Sequence, residues 1–390
     1  MMTVVRNFVQ KDIMSNPLRR DPLFIETAEL RLIELPLLNP FTISSATMVK
    51  RVAPIVVLRG GGCEGYAEGV ADMLPDYLPE TIVSSMMIMR DVLLPAVVGK
   101  NFANPQEIER LFRPWRDHQM AKAAVEMAFW DLWAKVQGLL LWQVLGGTRS
   151  KIEVGVSLGI KEIPLTLQEV ARHVQQGYRR IKLKVKAGHD LKLLDAVRAE
   201  FPDIHLTVDA NCCYTLADLP VLRNMDDYGL DYIEQPLAWN DLHDHARLQS
   251  VLRTPICLDE SIRTLADCRK ALQSDAGRLI NIKVGRLGGH TVAMQVHNLC
   301  LAYDIPVWCG GMMETGIGRA HNIHLCTLEQ FSRPGDTSSS SRYFEHDVVV
   351  ERLETSNGLM PIPANGAGIG VTLDWDFLDS VSSSVETIKA

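Results

Sequence analysis

Between Glu26 and Arg59 apolar and polar residues alternate, in "ETAELRLIELPL" and again in "RVAPIVVLRG". Side chains two apart on a strand share a face, so this pattern predicts half-buried strands. The glycines of "GGCEGYAEG" supply turns, with Gly60 to Gly62 at a hairpin, and together the three stretches predict an antiparallel meander. The period then changes. "TIVSSMMIMRDVLLPAVVG" and "AKAAVEMAFWDLWAKVQGLLLWQVLGG" place apolar residues three and four apart, which predicts helices, the second stopping at Gly146 and Gly147. Residues 25–150 therefore read as an α+β unit. From Lys151 the chain breaks into short apolar runs, "VGVSLG", "RIKLKV", "IHLTVDA", "LDYIEQP", "TPICLDE", "RLINIK" and "IPVWCGG", separated by helix-length segments. Strands alternating with helices predict parallel βαβ units, and a long series of them predicts a barrel over 151–344. The Gly/Pro-rich stretch "ERLETSNGLMPIPANGAGIGVTL" ends that rhythm, so 345–390 is expected to return to the first unit. Residues 1–24 are expected to be an N-terminal extension.

Composition narrows the partners. A chain of 390 residues that is 47% hydrophobic can fill one large core and a smaller companion. A formal net charge of −7 leaves no basic face for a phosphate backbone, which excludes nucleic acid. The N-terminal residues lack a continuous apolar signal segment, and no uninterrupted apolar run could span a bilayer, so no membrane partner is expected. The eight cysteines show no C-x-x-C spacing and several sit in apolar runs; they read as buried reduced thiols of a cytoplasmic protein.

One strand raises a chemical question. "RIKLKVKAG" alternates three lysines with Leu and Val, and repeated buried cations are costly unless something nearby needs their charge. The last polar residues of successive strands, Lys184, Asp209, Glu234, Asp259 and Lys283, are spaced by 25, 25, 25 and 24 residues, about one βα unit each. Five neighbouring strands thus end on a titratable group facing one mouth. A lone acid at a strand end is more often a solvated residue or helix cap. Three in register, flanked by lysines in register, point instead to a shared hard divalent cation, Mg²⁺, which suits oxygen ligands and keeps positions open for substrate. Lys182 and Lys184 both enter the interior, whereas Lys186 lies beyond the strand end, exposed to solvent. Lys182 suits an ion pair with one of the acids as well as a substrate contact. A lysine beside a metal and a second ammonium has its pKa lowered towards neutrality and can accept a proton. Two such bases on opposite faces of a bound carboxylate define proton abstraction α to it, the cation stabilising the enediolate. His and Cys are absent from the set, which disfavours zinc or iron.

These residues carry a resemblance. "KLK", "DAN", "EQP", "DES", "NIKVGRLGG" and "WCGGMMETGIGR" resemble the enolase superfamily in its muconate-lactonising subgroup, over nearly the whole chain from Glu26. "YRRIKLKV", "TPICLDESI", "IPVWCGGMMETGIGRA" and "PGDTSSSSRYF" are most similar to its o-succinylbenzoate synthase / N-succinylamino acid racemase family. The resemblance implies a (β/α)7β modified TIM barrel with an α+β capping domain, a small-molecule carboxylate substrate, Mg²⁺ with Mn²⁺ as a substitute, and a homo-oligomer. It implies Lys184 as general base, Lys283 as second base or cationic partner, and Asp209, Glu234 and Asp259 as metal ligands. Lys182, Asn211, Glu260 and Arg286 would support them; Arg286 matches an arginine associated with racemase ability, although an ordinary ion pair at a helix start explains it equally. Ser157, Tyr77, Gly310, Gly311, Met312 and Met313 would touch substrate, the glycines admitting backbone amides to the ligand. The cap segments "NPFTISSAT" and "ADMLPDYLPET" match the family loosely and are expected to form a specificity lid. The synthase reaction is placed first and racemisation of N-acylated amino acids second, with dipeptide epimerase, muconate cycloisomerase and a noncatalytic scaffold behind them. The epimerase reading is weak because "SRPGDTS" offers a single acid, Asp336, where a D-x-D pair would hold the substrate ammonium.

Overall fold

The alternation that begins after Glu26 becomes two long antiparallel strands. The computed structural model describes residues 21–42 and 47–390; the N-terminal extension up to Arg20 and the centre of the cap segment at 40–47 lie outside the described residues. Strand β1 (Thr27–Thr42) pairs with β2 (Thr47–Gly60), and β2 with β3 (Cys63–Glu68). Gly61 and Gly62 close the second hairpin at φ values of 58° and 76°, the conformation a two-residue type I′ turn requires. From Arg51 to Leu58 every residue of β2 is buried, so the one-sided alternation expected there is lost. This strand is central in its sheet, and the sheet is covered by helix α1 (Gln119–Val136).

Helix α1 departs from an amphipathic pattern because it is buried at every position from Met120 to Ala134. Its polar residues are therefore tied to neighbours. Glu126 accepts from His290 N at 2.8 Å and Thr291 N at 2.9 Å, and Asp131 accepts from Tyr66 N at 2.8 Å and Ile369 N at 2.7 Å. The other helix predicted in this unit is present over Ile82–Val97, but Met89–Leu93 is a π turn. Pro95, which cannot bond to the preceding turn and crowds its carbonyl, follows directly.

Seven parallel strands build the larger unit: β4 (Val156–Leu158), β5 (Ile181–Lys184), β6 (Leu206–Asp209), β7 (Ile233–Glu234), β8 (Ile256–Leu258), β9 (Leu279–Ile282) and β10 (Val307–Cys309), each bonded to the next. An eighth position is filled by residues 331–335, which bridge Val307 on one side and Val154 on the other, too briefly to count as a regular strand. Short helices α2 (Val284–Leu287), α3 (His290–Ala302) and α4 (Gly316–Leu325) follow β9 and β10. The chain then returns to the cap. Helix α5 (Trp375–Val381) leads into β11 (Ser382–Lys389), which covers the free edge of β1 to give the order β11-β1-β2-β3. All eight cysteines are free, but Cys63, Cys212 and Cys213 are only half-buried, against the expectation of burial throughout. Among the described residues no helix is long and apolar enough to cross a membrane.

The Glu126 contacts yield a pH dependence. Burial pushes its carboxyl up from 4.5 to about 7, so between those values the folded chain holds a proton that the unfolded chain has released. Stability from this group is therefore present at low pH and lost as pH rises through the window. Glu126→Gln is expected to remove that decline, seen as a changing difference in unfolding free energy between variant and wild type from about pH 5 to 7.5. A constant difference across the range would contradict it.

Candidate active site

Residues paired across parallel strands point the same way. Lys184 pairs with Asp209, and Asp209 with Glu234, so these three side chains face the barrel mouth together. Asp259 and Lys283 stand one residue past the ends of β8 and β9 and join them. Strands β5 and β9 are the second and sixth of eight positions, so the two lysines come from opposite walls with the three acids between them.

All five side chains are buried, so each charge needs a partner. Lys184 Nζ donates to Asp209 Oδ2 at 2.6 Å and Asn211 Oδ1 at 2.7 Å. Lys182, one layer deeper, donates to Glu234 Oε2 at 2.9 Å and pairs with Asp336 at 2.8 Å, so its ion-pair role is the one the contacts favour. Lys283 Nζ donates to Asp259 Oδ2 at 2.8 Å and to the Tyr77 hydroxyl at 2.9 Å. Arg286 also bonds to Asp259 and reaches Tyr77 at 2.9 Å, while its other nitrogens hold the carbonyls of Ile262 and Asn281. It thus acts on Lys283 through two shared partners, not by touching it. Lys186 is exposed, as expected.

The carboxylates are not equivalent. Burial alone would raise Asp259, but Arg286 and Lys283 outweigh it and hold the carboxyl below its usual range. Asp209 is likewise lowered against burial by Lys184 and Lys182. Glu234 is ion-paired to Lys182 and faces Asp209; burial and that repulsion outweigh the lysine and push it up to about 8. Burial and Asp259 push Glu260 up to about 7, and its Oε2 is buried without a partner while Oε1 accepts from Asn211 Nδ2 at 2.9 Å. Four buried carboxyl groups at one mouth, two of them pushed up by burial and by the other two, offer oxygen donors alone, the set that a hard divalent cation takes. The placement adds a condition. Among the described residues no three His, Cys, Asp or Glu side chains are grouped so as to hold a metal as they stand, because Asp209, Glu234 and Asp259 are each turned onto a lysine or arginine. An ion there would replace some of those contacts. The same contacts correct the expected lowering of the base: burial lowers Lys283, but Asp259 beside it prevails and holds the ammonium well above its ordinary range. A lowered pKa requires a cation to take up that carboxylate's charge.

The mouth opens into a cavity of about 330 Å³ lined by Tyr77, Lys184, Lys283, Gly311, Met312 and Met313, with Met48, Val52, Met73 and Leu74 from the cap. Gly310 has a different role from the one expected. Its amide donates to Asn281 Oδ1 at 2.7 Å, and a Cβ there would lie 2.6 Å from Lys283 Cε, so this glycine makes room for the lysine instead of offering an amide to ligand. Met312 N is likewise taken, by Glu314 at 2.8 Å. Ser157 lines a smaller adjoining chamber, with its buried hydroxyl unpartnered. Asn281, which holds Glu234 at 2.9 Å, was missed, although its position two residues before Lys283 puts it on the same side of the strand. Arg319 in the adjoining chamber carried no such periodic signal, since it comes from α4.

The cap also anchors the mouth loop. Glu68 at the end of β3 accepts from Thr315 N at 2.8 Å and Oγ1 at 2.7 Å, and Arg51 Nε donates to it at 3.1 Å.

Residues 27–146 match the mandelate racemase / muconate lactonizing enzyme N-terminal domain, and residues 166–377 the enolase C-terminal domain-like family. The chain is 52% identical over 359 residues to an N-succinylamino acid racemase of Thermus thermophilus, covering 92% of this chain and 97% of that protein. It is 48% identical over 352 residues to an o-succinylbenzoate synthase of Geobacillus kaustophilus, covering 90% and 94%. A crystal structure of an enolase superfamily member from Listeria innocua superposes with a TM-score of 0.91 at 41% identity, covering 94% of this chain and 99% of that one. With both domains matched and the five charged residues gathered at the barrel mouth, the chain belongs to the enolase superfamily, among the o-succinylbenzoate synthases and N-succinylamino acid racemases.

Proposed function

We propose that this enzyme is an o-succinylbenzoate synthase of menaquinone biosynthesis, dehydrating a succinylated cyclohexadiene carboxylate, and that the same site racemises N-succinylamino acids. The observation that carries it is the pair of lysines on opposite walls with the acids between them. Mg²⁺, or Mn²⁺, held by Asp209, Glu234 and Asp259 would offset the negative charge that builds on the substrate carboxylate as its α-proton leaves. Lys184 Nζ takes that proton. In the dehydration the C–O bond then breaks, the departing hydroxide takes up the proton held by Lys184 and leaves as water, and aromatisation drives the reaction. Lys283 supports it as an ammonium facing the developing charge. Racemisation needs Lys283 as a second base on the other face, and the Arg286–Tyr77 frame that fixes it favours this second reading. Dipeptide epimerisation fits less well, since Asp336 is already paired with Arg180 and Lys182 and has no charge to spare for a substrate ammonium.

The test is a side-by-side assay of kcat/KM on the cyclohexadiene carboxylate and on N-succinylamino acids. Turnover of both is expected with Mg²⁺, its loss on chelation, and its recovery when the metal is restored. Full activity in excess EDTA, with bound metal measured as nil, would sink the metal assignment.

A further inference from the structure

Among the described residues four lysines are buried. Lys182, Lys184 and Lys283 each meet a carboxylate at the barrel mouth. Lys122, in the first turn of α1, is 7% exposed and pairs with no carboxylate among the described residues; its Nζ donates to the Trp115 carbonyl at 2.5 Å. The acids around it, Asp117, Glu80 and Glu109, act on it only through space. Glu80 accepts from Met120 N, Ala121 N and Ser85 Oγ, and Glu109 holds Arg113, while Asp117 is exposed. Burial outweighs all three acids and lowers the Lys122 pKa. One carbonyl satisfies one of an ammonium's three donors, and burying a charge without a counter-charge is costly.

Lys122 lines a cavity of about 300 Å³ that shares no wall residue with the one at the mouth. Its other walls include Phe112 and Trp115, whose rings lie 5.7 Å apart and tilted by 34°, the exposed Arg116, and Val292 of α3. Arg113 and Asp117 stand at it as well, the first already held by Glu109. The cavity thus joins an aromatic, apolar lining to one buried positive charge. Helix α2 links the two cavities, since it runs from Lys283 at the mouth to Gly288 on the wall of this one.

We propose that this cavity is a second binding site, for an aromatic carboxylate whose charged end lies on Lys122 and whose ring lies against Trp115 and Phe112. The site is separate from the reaction at the mouth and uses none of its residues. A carboxylate supplies the missing counter-charge and accepts from the donors that the Trp115 carbonyl leaves over. A ring matches walls that are themselves aromatic, and the volume is at the lower end of small-molecule pockets. A neutral aromatic compound would leave the ammonium unbalanced, and a bare inorganic anion would leave the rings in water. An occupant resting on Gly288 touches the end of α2, the helix that carries Arg286.

Calorimetric titration of the full chain with 2-naphthoate, 2-naphthol and inorganic phosphate tests this without relying on turnover. The mouth also offers cations, so the readout is the change between wild type and variants that leave the mouth intact. Wild type is expected to bind 2-naphthoate at least about tenfold more tightly than either control, the scale of one hydrogen bond to a charged group. Lys122→Met should weaken 2-naphthoate at least about tenfold and leave 2-naphthol within about twofold. Its denaturant midpoint should be no lower than that of wild type, because it removes a buried charge that no acid pairs with. Trp115→Leu keeps the main-chain carbonyl that Lys122 holds, guards against a folding artefact in the first variant, and should weaken 2-naphthoate about threefold or more. Affinity for 2-naphthoate unchanged in both variants, or 2-naphthol bound as tightly as 2-naphthoate, overturns the assignment. Phosphate bound as tightly as 2-naphthoate overturns the ligand class. A Lys122→Met chain that unfolds more easily yet binds 2-naphthoate as wild type does would show the lysine to be a brace for the Trp115 loop and would overturn the site.

Discussion

Lys184→Ala is expected to lower kcat/KM for dehydration by about 10²–10⁴-fold, the usual worth of a positioned acid–base group. Its Nζ is held between Asp209 and Asn211 at the mouth, and no other amine on that wall can replace it. Lys182 is the nearest candidate, but it lies one layer deeper and is locked to Glu234 and Asp336. Lys283→Ala should behave differently in the two reactions. Racemisation requires a base on each face, so either substitution stops it. Dehydration requires one base, so loss of Lys283 costs only its electrostatic support, a few kcal/mol in the barrier. Equal kcat/KM losses in dehydration for the two variants would mean that the lysines do not divide the roles in this way.

Asp259→Asn is expected to be the most damaging change to the metal-free fold, at about 3–5 kcal/mol, the range for breaking a buried ion pair from one side. This carboxylate receives Lys283 and Arg286 together, both buried, and its charge is stabilised by them below the usual range. An amide would leave two buried cations facing a neutral group. Glu234→Gln should contrast with it. Burial and Asp209 already push that carboxyl up to about 8, so near neutral pH it is largely protonated in the metal-free protein and an amide replaces it at little cost while still removing a ligand. Both variants are expected to bind Mg²⁺ weakly, but only Asp259→Asn should unfold at markedly lower denaturant in the presence of chelator. Matching losses of stability would show that the two acids sit in equivalent fields, contrary to their partners.

The barrel was legible because strand alternation and a 25-residue spacing are one-dimensional signals. Lys182, Lys184, Asp209, Glu234, Asp259 and Lys283 follow from them, as Asn281 would have. What the spacing could not carry is contact between distant elements. Tyr77 belongs to the cap, and nothing in its neighbourhood says that its hydroxyl bridges Lys283 and Arg286. Arg319 sits on a helix, and its place in the adjoining chamber becomes apparent only once the neighbouring loops are in place. Gly310 was expected at a ligand contact because glycine admits a close approach; the approaching group is the lysine of the adjacent strand. In the cap, α1 was legible as a helix but its orientation was not, since a helix buried on all sides has no polar face to report it. The tail "SSSVETIK" was expected to return to the cap, but its role as an edge strand depends on the open side of β1.

Proton exchange in D₂O tests the two-base geometry most directly, because it isolates the first step from everything after it. With Mg²⁺ and an N-succinylamino acid, wild type should exchange the α-proton of both enantiomers and racemise them. The Lys283→Arg variant should still exchange one enantiomer through Lys184 and fail to racemise it. Exchange of both enantiomers by Lys184→Ala would contradict the assignment of one lysine to each face.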